Sequence, residues 1–285
     1  MGTRNVIRFS KYHGLGNDYL VIDSADSPTI TPSLTRRICD RHLGIGADGI
    51  LLWSRTAGRA VRILNPDGSE AEKSGNGLRI FARHLYDCGI VTSDPFSVTT
   101  PGGAVTCRVI DGGGAVSVEM GRVSFQSGDI PVAGASREVL EEELIVAGRS
   151  LRFSAATIGN PHCVLIRESV SEAETRALGP LIERDARFPH RTNVQFVQVL
   201  DRDNLRIEIW ERGAGYTAAS GSSSCAAAAI AHRLGLVGRS ITVHMRGGAL
   251  SIDIHDDFQI CMRGPVVKVA DGHIDRECLK DVLFE

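Results

Sequence analysis

An internal repeat is the feature of this sequence that most constrains its fold. When Ser74 is aligned with Ser220, a Gly-aliphatic-Val segment follows each serine at the same distance, at Gly89 and at Gly235. A Gly-Gly-Ala-aliphatic turn follows farther on in each copy, and a Gly-Asn pair precedes each serine. Features that recur in the same order indicate two copies of one supersecondary unit. The chain has 285 residues, 42% of them hydrophobic, so it is long enough to bury two cores of roughly 140 residues each.

Each copy contains short alternating strands and one long helix. Segments such as AVTCRVI and ALSIDI alternate between apolar and polar residues, which is typical of strands with one buried face. A helix is predicted just after each repeat serine, with Gly89 or Gly235 as its stop. These patterns predict an α+β fold of two pseudo-symmetric domains, residues 1–125 and 126–285, each a mostly antiparallel sheet around or against a central helix. We expect the active site in the cleft between the domains and a C-terminal tail that can return to the first half.

Composition narrows the range of partners. The formal net charge is −2 and no long block of like charges occurs, so we expect neither nucleic acid nor an anionic membrane as a partner. No apolar run has the length of a membrane span, and the N-terminal stretch lacks the apolar centre of a signal peptide, so a soluble, cytoplasmic protein is expected. A small molecule is the expected partner, and a homodimer is an ordinary expectation for such a protein.

We expect no metal and no cofactor. The seven cysteines are scattered without a C-x-x-C pair, which argues against a disulfide framework and against a zinc site. The sequence has no glycine-rich dinucleotide fingerprint after a strand, and none of its few lysines lies in a context that suggests a Schiff base.

The two helix starts suggest a chemistry. A helix N-terminus exposes backbone N–H groups and a partial positive charge, so it binds carboxylates, and Gly75, Gly77 and Gly221 would let a ligand approach closely. If both starts serve one ligand, Ser74 and Ser220 stand on either side of the carbon next to the carboxylate. That arrangement suits a two-base racemase or epimerase. The alternative is that both serines are only helix N-caps.

Six segments resemble, in this order, the motif series of the diaminopimelate epimerases: KYHGLGNDYLVID, DRHLGIGADGILL, NPDGSEAEKSGNGLRIFAR, GNPHCV, TNVQFV and ERGAGYTAASGSSSCAAA. The resemblance covers nearly the whole chain. It implies two pseudo-symmetric domains with sheets around a central helix. It also implies epimerisation of diaminopimelate without pyridoxal phosphate (PLP), in the biosynthesis of lysine and peptidoglycan.

The resemblance also implies roles for individual residues. His162 and Glu211 match polar residues beside the catalytic pair, although a structural histidine after the Gly-Asn-Pro turn is the alternative for His162. The positions that match substrate-contacting residues are Asn17, Asn65, Asn160, Asn193, Glu211 and Arg212. The positions that match the carboxylate-holding helix starts are Gly75, Asn76, Gly221 and Ser222.

The departures from the family pattern concern the catalytic pair itself. The two catalytic residues of the family are cysteines, and they fall on Ser74 and Ser220. A thiol is readily tuned to a thiolate base, whereas a serine hydroxyl needs a neighbour that takes its proton, and we expect His162 or Glu211 in that role. Tyr216 stands where the family usually has Glu, and several residues next to the two serines differ too. Clustered departures favour a natural serine subgroup over engineered replacement of two cysteines.

Three functions fit this sequence. The first is a PLP-independent amino-acid epimerase or racemase in which Ser74 and Ser220 are catalytic. The second is a different isomerase or a lyase on the same fold, for which one good base suffices. The third is a non-catalytic amino-acid-binding paralogue. Exchange of the substrate α-proton with solvent distinguishes the first from the third.

Overall fold

The computed structural model describes residues 7–25, 27 and 29–280. The described residues form two compact units, one with the residues up to Val118 and from Gly264 onward, the other Glu119–Arg263. The helices are α1 (Pro32–Cys39), α2 (Gly75–Asp87), α3 (Glu172–Glu183) and α4 (Gly221–Arg233). The strands, in chain order, are β1 (Ile7–Gly14), β2 (Asn17–Asp23), β3 (Ile50–Trp53), β4 (Val61–Leu64), β5 (Glu70–Ala71), β6 (Phe96–Thr100), β7 (Gly103–Ile110), β8 (Ala115–Arg122), β9 (Glu142–Val146), β10 (Arg149–Thr157), β11 (Pro161–Arg167), β12 (Asn193–Val199), β13 (Asn204–Glu211), β14 (Gly215–Thr217), β15 (Ser240–Met245), β16 (Gly248–Ile254), β17 (Gln259–Pro265) and β18 (Val267–Ile274).

The first unit contains a six-stranded sheet in the order β18-β1-β2-β3-β4-β5, and β6, β7 and β8 pair antiparallel with one another. Only the β2–β3 pair of the six-stranded sheet is parallel. Strand β18 pairs with β1 from Ile7 opposite Ile274. This pairing places the residues from Gly264 with the first unit, whereas the sequence boundary after residue 125 stays a prediction about domains.

The second unit contains the strand order β17-β16-β15-β13-β12-β11-β10-β9, with β14 added to β13. The β11–β12 and β13–β15 pairs are parallel, and the other pairs described for this unit are antiparallel. Alternate residues of β11 and β12 point to opposite faces. Cys163 and Phe196 pack in a core cluster with Leu178 and Ile182 of α3, so His162 and Gln195 face the other way, towards α4.

Helices α2 and α4 are matched elements. Their caps Ser74 and Ser220 have nearly the same backbone angles, φ −140°, ψ 120° and φ −148°, ψ 126°. Gly89 and Gly235 follow the two helices with positive φ, 67° and 75°, a conformation that glycine adopts without strain. The serine and glycine of each sequence copy thus mark the start and stop of its helix. The predicted α+β class is confirmed.

Among the described residues, every helix is too short or too polar to span a membrane. Within the same ranges, no cluster of three or more His, Cys, Asp or Glu side chains is placed to hold a metal ion.

Candidate active site

Ser74 lies at the start of α2 and makes two hydrogen bonds with its side chain. Its Oγ accepts from the backbone N–H of Gly77 at 3.1 Å. The hydroxyl of Tyr19, on β2, lies 3.3 Å from the same Oγ, and either oxygen can be the donor in that pair. Because a hydroxyl oxygen can accept one bond while it donates or accepts another, Ser74 both caps the helix and contacts a second ionisable hydroxyl.

The ring of Tyr19 occupies space that a larger residue at position 49 would take. A Cβ atom on Gly49 would lie 2.6 Å from Cε1 of Tyr19 and 2.7 Å from the carbonyl oxygen of Leu64. Such distances are shorter than van der Waals contact, so a side chain at position 49 and the present Tyr19 conformation exclude each other. The glycine therefore permits the contact between Tyr19 and Ser74.

The first turn of α2 is held by a chain of amides and charges. Nδ2 of Asn76 donates to Oδ1 of Asn17 at 3.0 Å, and Nδ2 of Asn17 donates to Oδ2 of Asp48 at 3.0 Å. The fully buried guanidinium of Arg79 donates to Oδ1 of Asn76 at 2.7 Å and to the carbonyl oxygen of Gly75 at 3.4 Å. A buried cation next to a helix start adds to the positive potential there. The start of α2 is therefore a region of positive potential.

An ionic group supports the Asn17 end of this chain. Burial acts to raise the pKa of Asp18, but hydrogen bonds from Arg41 and Lys11 outweigh it and lower the pKa to about 2. Asp48 accepts from Arg41 at 2.7 Å and from the backbone N–H of Asp18 at 3.1 Å. Asp18 is therefore ionised at neutral pH, and Asp48, which accepts from Asn17, fixes the orientation of that side chain.

Asn65 lies in the turn between β4 and β5. Its Nδ2 donates to Oγ of Ser69 at 2.9 Å, and its backbone N–H donates to the carbonyl oxygen of Ser69 at 2.8 Å. The half-buried side chain of Asn65 therefore closes this turn.

Ser220 lies at the start of α4 and repeats the capping geometry. Its Oγ accepts from the backbone N–H of Ser223 at 3.4 Å, and the residue is 7% exposed. Gly221 and Ser222 form the first two helical residues, as Gly75 and Asn76 do in α2. The second unit therefore presents a serine-capped helix start of the same form.

His162 contacts Asn160, and Asn160 contacts α4. Nε2 of His162 lies 2.9 Å from Oδ1 of Asn160, whose Nδ2 donates to Oγ of Ser222 at 3.3 Å. Burial lowers the pKa of His162 to about 3. Gln195 acts to raise this pKa, and the charge of Arg212 acts more weakly to lower it. His162 is therefore neutral at pH 7. The structure brings His162 together with Asn160 and Ser222, and it gives His162 no hydrogen bond to Ser220 among the described contacts.

Asn193 at the start of β12 and the residues at the end of β13 form hydrogen bonds with backbone groups and with one side chain. Oδ1 of Asn193 accepts from the backbone N–H of Arg212 at 2.9 Å, and its Nδ2 donates to the carbonyl oxygen of Pro161 at 2.8 Å. Oε1 of Glu211 accepts from Oγ1 of Thr217 at 3.2 Å. The guanidinium of Arg212 donates to a loop carbonyl at 3.1 Å. Asn193 thus ties the end of β13 to the start of β11.

Tyr216 is held by a hydrogen bond and a cation–π contact. Its hydroxyl donates to Oε2 of Glu208 at 2.5 Å, and the guanidinium of Arg176 lies 4.4 Å from the ring centroid. This cation–π contact and hydrogen bond hold the tyrosine against α3 and β13.

Sequence reasoning missed Tyr19, Arg79 and Gln195. Tyr19 and Ser74 are 55 residues apart, so their contact depends on how β2 lies beside α2. Gln195 donates from Nε2 to Oγ of Ser223 at 3.0 Å, across 28 residues. A polar residue within an apolar strand, such as the Gln in NVQFV, is the one sequence signal that points to a buried polar contact.

Comparison with known proteins shows the family and the fold of this chain. The family model described as diaminopimelate epimerase matches residues 9–126 and 154–269. A protein named diaminopimelate epimerase 2 from Nostoc sp. is 54% identical, over 95% of this chain and 96% of the relative. A diaminopimelate epimerase from Moorella thermoacetica is 42% identical, over 93% of this chain and 98% of the relative. The crystal structure of a hydroxyproline epimerase from Agrobacterium vitis has a TM-score of 0.68 at 16% identity, over 96% of this chain and 92% of that one, which shows a shared fold.

Fold and sequence together define an amino-acid epimerase or racemase that works without PLP. The chain belongs to the diaminopimelate epimerase family. The predicted family, fold class and isomerase activity on a small amino acid are confirmed. A different isomerase, a lyase or a non-catalytic paralogue is not favoured.

Proposed function

We propose that this chain epimerises diaminopimelate, or a closely related α-amino acid, with Ser74 and Ser220 as the groups that exchange the α-proton on opposite faces of the carbon. The observation that carries the proposal is the matched geometry of the two serines. Each is the N-cap of a 13-residue helix, and each Oγ accepts from the backbone N–H of the residue three positions later. Diaminopimelate is proposed as the substrate because relatives 54% and 42% identical to this chain are named diaminopimelate epimerases.

The first turns of α2 and α4 are proposed to bind the α-carboxylate. Backbone N–H groups of Gly75 and Gly221 lie at helix starts, where no intrahelical acceptor exists for them. Hydrogen bonds to the carboxylate would strengthen as negative charge builds on it during loss of the α-proton. The buried Arg79 supports this role for α2 because it adds positive charge beneath that turn.

The remaining site residues are proposed to hold the distal end of the substrate. An ammonium needs acceptors, and a carboxylate needs donors such as a guanidinium. The half-buried carboxylate of Glu211 and the exposed guanidinium of Arg212 supply one of each at the end of β13. The proposed distal contacts are Asn17, Asn65, Asn160, Asn193, Glu211 and Arg212.

Proton transfer by a serine needs a neighbouring group. For Ser74 we propose Tyr19, whose hydroxyl is 3.3 Å away and can exchange a proton with the serine. His162 was expected to assist a catalytic serine, but its ring is completely buried and bonded to Asn160. We therefore propose that His162 orients Asn160 and does not transfer the α-proton. Glu211 remains a proposed catalytic residue that would assist a serine.

The test is α-proton exchange. The protein is incubated in D2O with LL- or meso-diaminopimelate, and loss of the α-proton signal is followed by NMR. Wild type is compared with Ser74→Ala and Ser220→Ala, and with Ser171→Ala as the matched control. Ser171 caps α3 in the same way, so its loss removes a helix cap without touching α2 or α4.

We expect exchange in wild type and in Ser171→Ala, and none above background in the two other variants. Binding of diaminopimelate to wild type without exchange would exclude turnover of that substrate. Exchange that survives in both Ser74→Ala and Ser220→Ala would exclude the two serines as the exchanging groups.

The finer predictions about context also remain proposals. Family membership supports a small amino acid as the partner. A cytoplasmic location, a homodimer, the lack of a nucleic-acid partner and the division into domains after residue 125 stay predictions from sequence. The serine subgroup within the family is likewise a prediction.

A further inference from the structure

A line of polar side chains starts and ends on the first turn of α4. Nε2 of Gln195 lies 3.0 Å from Oγ of Ser223, Nε2 of His162 lies 2.9 Å from Oδ1 of Asn160, and Nδ2 of Asn160 lies 3.3 Å from Oγ of Ser222. The β11–β12 register places Gln195 and His162 on the same face, in neighbouring positions. His162, Gln195 and Ser223 are each 0% exposed.

Two buried side-chain atoms in this line lack a hydrogen-bond partner among the described residues, Nδ1 of His162 and Oε1 of Gln195. His162 is neutral, and its proton is needed on Nε2, where the ring bonds the oxygen of Asn160. Nδ1 is then an acceptor, and it cannot bond the amide oxygen of Gln195. A buried polar atom without a hydrogen-bond partner is destabilising, so this orientation is unfavourable.

Rotation of the Gln195 amide by half a turn satisfies both atoms. The oxygen and nitrogen of an amide have nearly the same shape, so the rotation needs no repacking. The NH2 group of Gln195 then donates to Nδ1 of His162, and its oxygen accepts from the Ser223 hydroxyl. Every bond in the line now runs in one direction, from Ser223 through Gln195, His162 and Asn160 to Ser222.

The direction decides what Ser222 offers to a ligand. Because Ser222 accepts from Asn160, its own proton remains for another acceptor. Ser222 is the second residue of α4, where the backbone N–H groups favour an anion. In the reverse direction Ser222 would donate to Asn160 and turn a lone pair towards the same anion.

We infer that Gln195 and His162 are positioning residues that fix the direction of this hydrogen-bond line, so that the Ser222 hydroxyl donates to the substrate carboxylate. The inference deepens the proposed function and rests on it for the identity of the anion. The direction of the line, however, is a property of the protein without substrate and is measured separately.

The direction is read from the protonation of His162. The protein is prepared with 15N-labelled histidine, and two-dimensional NMR shows which ring nitrogen carries the proton, with His162→Gln to assign the signal among the nine histidines. We expect a proton on Nε2 alone between pH 6 and pH 8. A proton on Nδ1, or on both nitrogens, overturns the inference whether or not the enzyme turns over diaminopimelate.

The effect on the substrate is read from Gln195→Met, which keeps the length of the side chain and removes both polar groups. The matched control is Gln198→Met, on the same strand but only half buried. We expect KM for LL-diaminopimelate to rise about tenfold in Gln195→Met, as for the loss of one hydrogen bond to a charged group, with kcat within about twofold. Gln198→Met should match wild type.

A double variant separates positioning from loss of packing. If Gln195 acts through the Ser222 hydroxyl, then Gln195→Met adds no further rise in KM once Ser222→Ala is present. Independent, additive effects of the two substitutions, or an unchanged KM in Gln195→Met, would overturn the inference. If wild type shows no α-proton exchange, the proposed function fails, and the dissociation constant of diaminopimelate replaces KM in the same comparison; wild type that does not bind diaminopimelate overturns the inferred role of Ser222.

Discussion

In the proposed mechanism, Ser74 and Ser220 each use one oxygen for two purposes. The oxygen caps a helix by accepting a backbone N–H, and the same hydroxyl group is proposed to exchange the α-proton. The two serines differ in their neighbours, because the Tyr19 hydroxyl lies 3.3 Å from Ser74, whereas the described bond of Ser220 Oγ is to the backbone of Ser223. We therefore expect the two proton transfers to have unequal rates.

Tyr19→Phe tests the partner of Ser74. The substitution keeps the ring in its space beside Gly49 and removes only the hydroxyl. We expect α-proton exchange to fall about tenfold to a hundredfold, because a positioned acid or base contributes on the order of a hundredfold or more to proton transfer.

Tyr86→Phe is the control for that change, since Tyr86 lies near the far end of the same helix, α2. Both variants should unfold at nearly the wild-type denaturant concentration. Wild-type exchange in Tyr19→Phe would remove Tyr19 from the mechanism.

The double variant Ser74→Cys/Ser220→Cys tests the proposed chemistry of the caps. A thiol at a helix N-terminus has a lowered pKa, and the resulting thiolate is a better base than a hydroxyl. We expect at least about a tenfold rise in exchange near pH 8, with sensitivity to thiol-alkylating reagents that wild type does not show in its activity. Ser171→Cys should leave the rate unchanged, and a double variant slower than wild type would count against caps that act on the α-proton.

At the scale of elements, α2 and α4 share their ends and differ in their middles. Both have 13 residues and a C-cap with φ −82° and ψ 0°. The buried side chains in the middle of α2 are large and include Arg79. Those in the middle of α4 are small, a run of alanines at residues 226–229. The ends were predictable because a serine cap and a glycine stop are local rules. The burial of Arg79 was not, because it depends on strands distant in sequence.

Arg79→Lys tests how much the buried guanidinium contributes to the start of α2. A lysine ammonium cannot reproduce the fork that bonds both Asn76 and the carbonyl of Gly75. We expect the free energy of unfolding to fall by about 1.5–3 kcal/mol, measured by urea denaturation, with a weaker affinity for the substrate carboxylate. The control is Arg233→Lys at the end of α4, which alters an exposed ion pair with Glu138. It should lower the free energy of unfolding by less than about 1 kcal/mol. Equal losses in the two variants would contradict a special role for Arg79.

At the scale of the whole molecule, the sequence predicted the class of fold and a C-terminal tail that can return to the first half, but not the strand with which that tail pairs. Alternating strands and one capped helix in each copy were enough to predict α+β structure. The return of β18 to β1 joins residues more than 250 positions apart, as in the bond from Ser10 to Asp271, and no local pattern specifies it. The same holds for the candidate site: its capping serines were predictable, whereas Tyr19 and Gln195 depend on long-range packing.

Each unit also contains a histidine that burial keeps neutral. Burial lowers the pKa of His162 to about 3 and that of His84 to about 4, the latter with help from the charge of Lys268. In the unfolded chain both side chains have the ordinary pKa of 6.5. As the pH falls below 6.5, the unfolded state therefore binds protons that the folded state does not, and stability decreases. Asp18 behaves oppositely, because its lowered pKa stabilises the fold at every pH above 3.8 and loses that effect only in stronger acid.

Between pH 7 and pH 5 the histidines should therefore dominate the loss of stability. At pH 5 each histidine should lower the free energy of unfolding by about 2 kcal/mol, because its pKa in the unfolded chain lies about 1.5 units above that pH. We expect urea denaturation to show this decrease in wild type, and a smaller dependence on pH in His162→Gln and in His84→Gln, even where the variant itself is less stable. His255→Gln, at an exposed position, should retain the wild-type dependence. A pH dependence that persists unchanged in both buried-site variants would mean that neither histidine is held neutral by the fold.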